Sequence, residues 1–309
     1  MDKEHGKADK GDLQQKKVTS PAYLKTILQE RNLSPRRSMG QNFLVDDNIL
    51  EKIISAATLH ENDLVIDIGA GPGALSLAMA GKVAGVIAVE WDEGLSALLQ
   101  EQALMRGLNR LHVVKGDVRR LDLDRICREK WGEILCGGAA AGELKVVANL
   151  PYYLITPLLF KLLQGRLPIK LLVVMVQLEV ARRILAVPGG KEYGVLSVLC
   201  RYYTEPRLLF KVSRHVFFPS PEVDSAVVLL DVLGEPPVKV KDKGLFWKIV
   251  RAAFQKRRKT ILNALHGLGD LSKGDWEKIL QKCGISPMQR GETLSLDEFA
   301  NLSEMFYNS

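Results

Sequence analysis

The chain has 309 residues, 47% of them hydrophobic, a formal net charge of +7 and a pI of about 9.1. That length and apolar content suit about two globular domains, and the cationic excess suits a polyanionic partner. No apolar run reaches the roughly 20 residues of a membrane helix, and the polar first twenty residues lack the apolar core of a signal peptide, so no membrane partner and a cytoplasmic location are expected.

In chain order, residues 1–20 are polar, rich in Lys and without periodicity, which predicts a disordered arm. Residues 21–233 form the expected first domain. Within it, short β-rich runs at 63–69, 85–90, 111–117, 144–150 and 171–177 are separated by stretches long enough for helices. Strands alternating with helices predict an α/β fold with a parallel sheet covered on both faces. Residues 192–212 then predict a helix and a strand, and 225–233 a last strand. A Pro/Gly/Lys stretch at 234–244 predicts a linker, and 245–309 reads as helices only, a small all-helical C-terminal domain. Inside it Lys256, Arg257, Arg258 and Lys259 are consecutive. Four adjacent cations repel one another unless something anionic offsets them, so the run is either an anion-binding patch or a solvated helix face. Cys127, Cys136, Cys200 and Cys283 have no Cys-x-x-Cys spacing and the histidines are dispersed, so neither a metal site nor a disulfide framework is expected.

Ligands of open α/β sheets bind at the carboxyl ends of the strands, so those ends carry the functional reading. The first ends in "DIGAGPGALS", where Gly69, Gly71 and Gly73 let backbone and a helix N-terminus approach a ligand. The second ends at Glu90, a carboxylate able to accept both hydroxyls of a ribose, and the third at Asp117, able to accept from an exocyclic adenine amine. A nicotinamide cofactor would satisfy the glycines and Glu90 as well. The spacing, however, departs from G-x-G-x-x-G and no G-x-x-x-x-G-K-[ST] is present, so the pattern points to an adenosine ligand without phosphates. The fourth strand breaks at Asn149-Leu150-Pro151-Tyr152, since Asn is a poor strand former and Pro cannot donate to a ladder.

At this tetrapeptide the pattern of D-x-G-x-G-x-G with later Glu, Gly-Asp and Asn-Leu-Pro-Tyr resembles the Rossmann-like class I S-adenosylmethionine-dependent methyltransferases that modify amino nitrogens. "RRSMGQNFLVD", "NLPYYLITPLLFKLL", "EYGVLSVLCRYY", "FFPSPEVDSAVVLL", "AFQKRRKTILNAL" and "GISPMQRGETLS" are similar to the ribosomal RNA adenine N6,N6-dimethyltransferases, the kasugamycin-resistance family. The likeness runs from about Arg36 to near the C-terminus. It implies S-adenosyl-L-methionine as cofactor and dimethylation of two adjacent adenosines in the 3′-terminal loop of small-subunit (16S) ribosomal RNA. It also implies a pre-ribosomal 30S particle as partner and a monomeric enzyme. By the same resemblance Asn42 and Leu44 meet the methionine end of the cofactor, Gly69 and Gly71 form the glycine loop, Glu90 takes the ribose and Asp117 the adenine. Asn149 bridges cofactor and substrate.

The chemistry fits these residue types. An adenine amine is a poor nucleophile because its lone pair is delocalised into the ring. The Asn149 side-chain oxygen and the Leu150 carbonyl, freed by the turn at Pro151, would accept the two amine hydrogens and favour a pyramidal nitrogen. Tyr152 would stack on the flipped-out base, and the resemblance puts Phe217 on the other face. The basic run Lys256–Lys259 becomes the candidate RNA contact. Two departures stand out: Asp67, where the family often has Glu, and the extended N-terminal arm. The competing readings are a macrolide-resistance type enzyme acting on large-subunit RNA and a non-catalytic RNA-binding assembly factor on the same fold.

Overall fold

The computed structural model describes residues 17–36, 39–135, 142–151, 154–256 and 258–307. Most of the expected arm therefore lies outside the described residues, but its last four residues are packed, not free. Val18 and Thr19 are buried, and Asp47 accepts from Thr19 Oγ1 at 2.5 Å and from Lys17 Nζ at 2.7 Å. Order begins earlier than composition predicts because this carboxylate gives the short stretch two polar anchors.

Contacts divide the chain into two units. One comprises residues up to Leu178 together with Leu208–Leu229, and the other Glu179–Arg207 together with Leu230–Ser309. The boundary expected at 234–244 is thus not where contacts divide the chain, since residues 179–207 group with the C-terminal helices.

The first unit opens with α1 (Pro21–Glu30), a Pro-started helix whose buried Leu24, Ile27 and Leu28 pack with Leu95 and Leu98. Next come β1 (Phe43–Leu44), α2 (Asp47–Ala56), β2 (Leu64–Ile68), α3 (Ala74–Met79), β3 (Gly85–Glu90), α4 (Glu93–Met105) and β4 (Leu111–Lys115). They are followed by α5 (Leu123–Leu135), β5 (Leu144–Asn149), α6 (Ile155–Gln164) and β6 (Ile169–Gln177). Helix starts follow from side-chain caps: Asp46 accepts from Ile49 N at 2.9 Å for α2, and Asp92 from Leu95 N at 3.1 Å for α4. Every residue of β2 and β3 is buried, as parallel strands covered on both faces must be.

After β6 come α7 (Leu178–Leu185), α8 (Val195–Tyr203), β7 (Thr204–Val212), β8 (Phe217–Phe218) and β9 (Ser225–Val232). All the strands expected from sequence form, and they make a seven-stranded sheet of order β4-β3-β2-β5-β6-β9-β7. Strands β4, β3, β2, β5 and β6 run parallel. The order reverses between β2 and β5, which puts the topological switch point where the glycine loop and the Asn149 turn emerge. A second, two-stranded sheet pairs β1 with β8 antiparallel, Phe43 opposite Phe218 and Leu44 opposite Phe217.

In the second unit α9 (Lys243–Gln255), α10 (Ile261–Leu265), α11 (Lys273–Lys282) and α12 (Leu296–Tyr307) join α8 around an aromatic core. Tyr202 lies 5.0 Å from Phe246 and Tyr193 5.7 Å from Phe254, centroid to centroid, and these contacts explain why 179–207 belongs here. Within the expected helical stretch the chain does not run on as one helix from α9 into α10. Lys256 leaves helical geometry and Thr260 caps α10, accepting from Asn263 N at 3.4 Å. Lys256, Arg258 and Lys259 are therefore exposed in a connection and not on a helix face, while Arg257 lies outside the described residues.

Candidate active site

A cleft opens at the carboxyl ends of β2, β3, β4 and β5, the place where open α/β sheets bind ligands. Its lining includes Asn42, Leu44, Gly69, Gly71, Glu90, Asp117, Asn149, Leu150 and Pro151, so residues scattered over more than a hundred positions of sequence meet at one place.

The glycine loop is held against both of its neighbours. Gly69 has φ +72°, and a Cβ there would stand 2.9 Å from the Pro151 ring; Gly71 has φ +56°, and a Cβ would stand 3.1 Å from Phe43. A side chain at either position would push the loop off Pro151 or Phe43, in a left-handed conformation that L-residues avoid. The backbone N–H of Gly71 donates to Glu90 Oε2 and that of Asp92 to Oε1, both at 2.8 Å. Each carboxylate oxygen accepts more than one hydrogen bond, so this pinning still leaves lone pairs for a ligand diol. Burial pushes the Glu90 carboxyl above its ordinary value, partly offset by these N–H donors.

Asp67 sits at the base of the cleft, 1% exposed. One of its oxygens accepts from Ser76 Oγ at 2.5 Å and the other, Oδ1, has no partner among the described residues. Burial pushes its carboxyl up to about 7, with the neighbouring Glu90 charge adding to the rise and the Ser76 bond opposing it. At the far end, Asp117 is gripped by Arg119, whose Nε lies 2.9 and 3.0 Å from its two oxygens and whose NH2 nitrogen lies 2.6 Å from Oδ2. That guanidinium holds the carboxyl below the usual range. The same guanidinium lies 5.9 Å from the ring of Trp91, which is 45% exposed.

A cleft walled by Asp67, Glu90, Asp92 and Asp117 disfavours a pyrophosphate and favours a ligand that carries positive charge at one end and hydroxyl and amine donors at the other. S-adenosyl-L-methionine has that distribution. The glycine cradle, the unpartnered buried Oδ1 of Asp67 and the acids at the ends of β3 and β4 fit it.

At the fourth strand end Asn149 Nδ2 donates to the Asn42 carbonyl at 3.1 Å, while Asn42 Nδ2 donates to the Gly40 carbonyl, also at 3.1 Å. Fixing the amide nitrogen orients the Asn149 oxygen as an acceptor. Leu150 N still donates to Met175 O at 3.1 Å, so backbone pairing with β6 reaches one residue past the end of β5 at Asn149.

Not every expected residue is gathered here. Phe217 is 4% exposed and packs in the core with Leu44, outside the cleft lining, because β8 pairs it inward against β1; its neighbour Phe218 is half-buried. Tyr152 lies outside the described residues, and the Lys256–Lys259 run belongs to the other unit. Conversely, Phe43, Trp91 and Val118 line the cleft without having been singled out from sequence. Each directly follows a chosen residue (Asn42, Glu90 and Asp117), so adjacency to a strand-end polar group was the available signal. Among the described residues no cluster of three metal-ligating side chains occurs, and no helix is long and apolar enough to cross a membrane.

Comparison with known proteins shows similarity over most of the chain. The model of the ribosomal RNA adenine dimethylase family matches residues 32–307. Ribosomal RNA small subunit methyltransferase A of Pelotomaculum thermopropionicum is 47% identical over 294 residues, 94% of this chain and 98% of that protein. The protein of the same name from Moorella thermoacetica is 47% identical over 286 residues, 93% of this chain and 97% of its own. Among solved structures, a dimethyladenosine transferase from Plasmodium falciparum superposes with a TM-score of 0.68 at 24% identity, over 84% of this chain and 95% of that one, a likeness of fold.

Proposed function

Because the chain belongs to the ribosomal RNA adenine dimethylase family, we propose that it dimethylates the N6 amines of two adjacent adenosines in the 3′-terminal hairpin loop of small-subunit ribosomal RNA. The substrate in this reading is a pre-ribosomal 30S particle, and the enzyme acts as a monomer in the cytoplasm. Relatives 47% identical over nearly their whole length carry small-subunit names, which favours the small over the large subunit.

The observation that carries the reading is the Asn149 amide, turned by the Asn42 carbonyl at the switch point, with Pro151 against Gly69. S-adenosyl-L-methionine, the cofactor of this family, supplies an electrophilic methyl group on a sulfonium. Glu90 holds the ribose hydroxyls, and Asp117 with Val118 and Trp91 holds the adenine. Asn42 and Leu44 meet the methionine end. Asn149 Oδ1 and the Leu150 carbonyl accept the two hydrogens of the target amine, so its lone pair leaves conjugation and points along the transfer direction. Tyr152 stacks on the target base. Lys256, Arg257, Arg258 and Lys259 bind RNA phosphates. No strong general base is needed, because the methylated ammonium is acidic enough to release its proton to water.

The test is incubation with labelled cofactor and unmodified small or large subunits, followed by mass-spectrometric mapping. Dimethyladenosine at two neighbouring positions of the small-subunit RNA is expected. Label in large-subunit RNA would transfer the reading to the macrolide-resistance type, and no label in either would make the chain a binding factor.

A further inference from the structure

Lys161 lies on α6, the helix that begins just beyond the Asn149 turn. Its ammonium donates to the carbonyl oxygens of Val118 at 2.7 Å, Arg119 at 3.2 Å and Leu121 at 2.5 Å. An ammonium has three donors and no acceptor, so the full hydrogen-bonding capacity of this side chain is directed at one loop. That loop carries Asp117 and Val118, both in the cleft lining. On its inner side it closes on itself: the N–H groups of Arg120 and Leu121 donate to the Asp117 carbonyl at 2.9 and 3.0 Å. The Val118, Arg119 and Leu121 carbonyls, which none of these turn bonds uses, are those that Lys161 collects. Burial pulls the Lys161 ammonium below its ordinary value, while Asp122, Asp117 and Asp124 draw it back.

We infer that Lys161 is a positioning residue for the adenosine half of the cofactor site, fixing the backbone at Asp117 and Val118 and tying it to the helix that follows Asn149-Leu150-Pro151. The inference rests on the reading that the cofactor adenine lies against Asp117. A methylene chain alone could fill the space on α6 but could not hold three carbonyls in register. The loop would then relax, and with it the direction in which the Asp117 carboxylate points.

Calorimetry on the full chain tests this with two ligands, S-adenosylhomocysteine and 5′-methylthioadenosine, which is the adenosine half without the amino acid. Lys161→Met should raise Kd for both by the same factor, about tenfold, as expected for losing charge-assisted hydrogen bonds that preorganise a site. At saturating cofactor, kcat and the KM for RNA should stay within about twofold, because the interaction serves binding and not the transfer step. A role confined to fold stability would instead lower Tm and leave the Kd of the folded fraction unchanged. If Lys161→Met gives no folded protein, Lys161→Gln is read on the same scale. Asp117→Asn separates the two layers of the argument. If it leaves 5′-methylthioadenosine binding intact, the placement of adenine fails; if it weakens binding while Lys161→Met does not, the positioning role of Lys161 fails alone. An unchanged Kd, or a loss confined to kcat, overturns the inference.

Discussion

In the proposed reaction Asn149 would serve two chemically different amines in succession. The first adenine amine offers two hydrogens and the monomethylated one a single hydrogen, so the second transfer depends still more on an acceptor already turned to the right direction. The bond from Nδ2 to the Asn42 carbonyl provides that orientation. Asn149→Ala should slow both transfers by on the order of 10² to 10³, by analogy with removing one preorganised hydrogen-bonding group from an active site. Cofactor affinity should change far less. Single-turnover mass spectrometry reads both steps, and near-normal rates would remove Asn149 from the mechanism. Asp67 gives a pH-dependent counterpart. Its folded-state carboxyl stands at about 7, above the ordinary 3.8, so the folded chain keeps a proton that the unfolded chain releases. Its contribution to stability is fully present below the unfolded value and is lost as pH rises through about 7, on the order of a few kcal/mol. Asp67→Asn cannot titrate. The Tm of the variant relative to the parent should therefore climb between about pH 4 and 8, on the order of 5 °C, measured without cofactor. Parallel Tm curves would show that Asp67 is not held protonated.

At the scale of elements, strands β2 and β5 are joined near their amino ends by a buried ion pair. Lys145 Nζ lies 2.8 Å from Asp63 Oδ2 and 2.9 Å from the Thr58 carbonyl, and both side chains are nearly inaccessible. Burial pushes the Asp63 carboxyl up, but Lys145 and the N–H groups of His60 and Glu143 outweigh it and hold the carboxyl below its ordinary value. Lys145→Ala leaves that carboxylate buried without its cation and should cost about 3 to 5 kcal/mol in urea unfolding. A loss under 1 kcal/mol would mean that water replaces the ammonium. The pair also shows where sequence reading stops. Strands β2 to β6 were legible because continuous Val, Ile and Leu runs form buried parallel strands, and the acids at the ends of β3 and β4 were legible because a charge closing such a run needs a reason. Nothing in "GELKVV" distinguishes a Lys that will be buried, since its partner Asp63 lies just before β2, 82 residues earlier in the chain. The β1–β8 pair was equally hidden: two residues on each side carry no periodicity, so the inward turn of Phe217 could not be read. The grouping of 179–207 with the C-terminal helices was missed because the Tyr and Phe rings that hold it become neighbours only in three dimensions.

For the whole molecule, the net charge of +7 is meaningful only where cations lack nearby acids. Arg31, Lys115, Arg119 and Arg183 all form ion pairs with carboxylates, while Arg258 and Lys259 are exposed in the connection between α9 and α10. Replacing Arg258 and Lys259 by Gln should reduce the slope of log K for RNA against log salt by roughly 1.4, at about 0.7 per phosphate contact for single strands. Calorimetric cofactor affinity should be unaltered. An unchanged slope would return these residues to ordinary surface charge. The run was visible in sequence as a cluster, but the helix break at Lys256 that displays it was not, because Ala-Ala-Phe-Gln-Lys-Arg-Arg-Lys reads as continuous helix until Thr260 acts as a cap.

The pairing of Phe43 with Phe218 and Leu44 with Phe217 also sets a timetable for synthesis. The stretch that bears Asn42 leaves the ribosome early, and the glycine loop, Glu90, Asp117 and Asn149 follow in order. The short strand beside Asn42 stays without its partner until residues 217 and 218 have been made. A nascent chain stopped after Gln177 thus possesses every strand end that the cofactor touches, yet the carbonyl that steers Asn149 is still unsecured. In the proposed reaction, the means to orient an amine would therefore be completed after the means to hold the methyl donor.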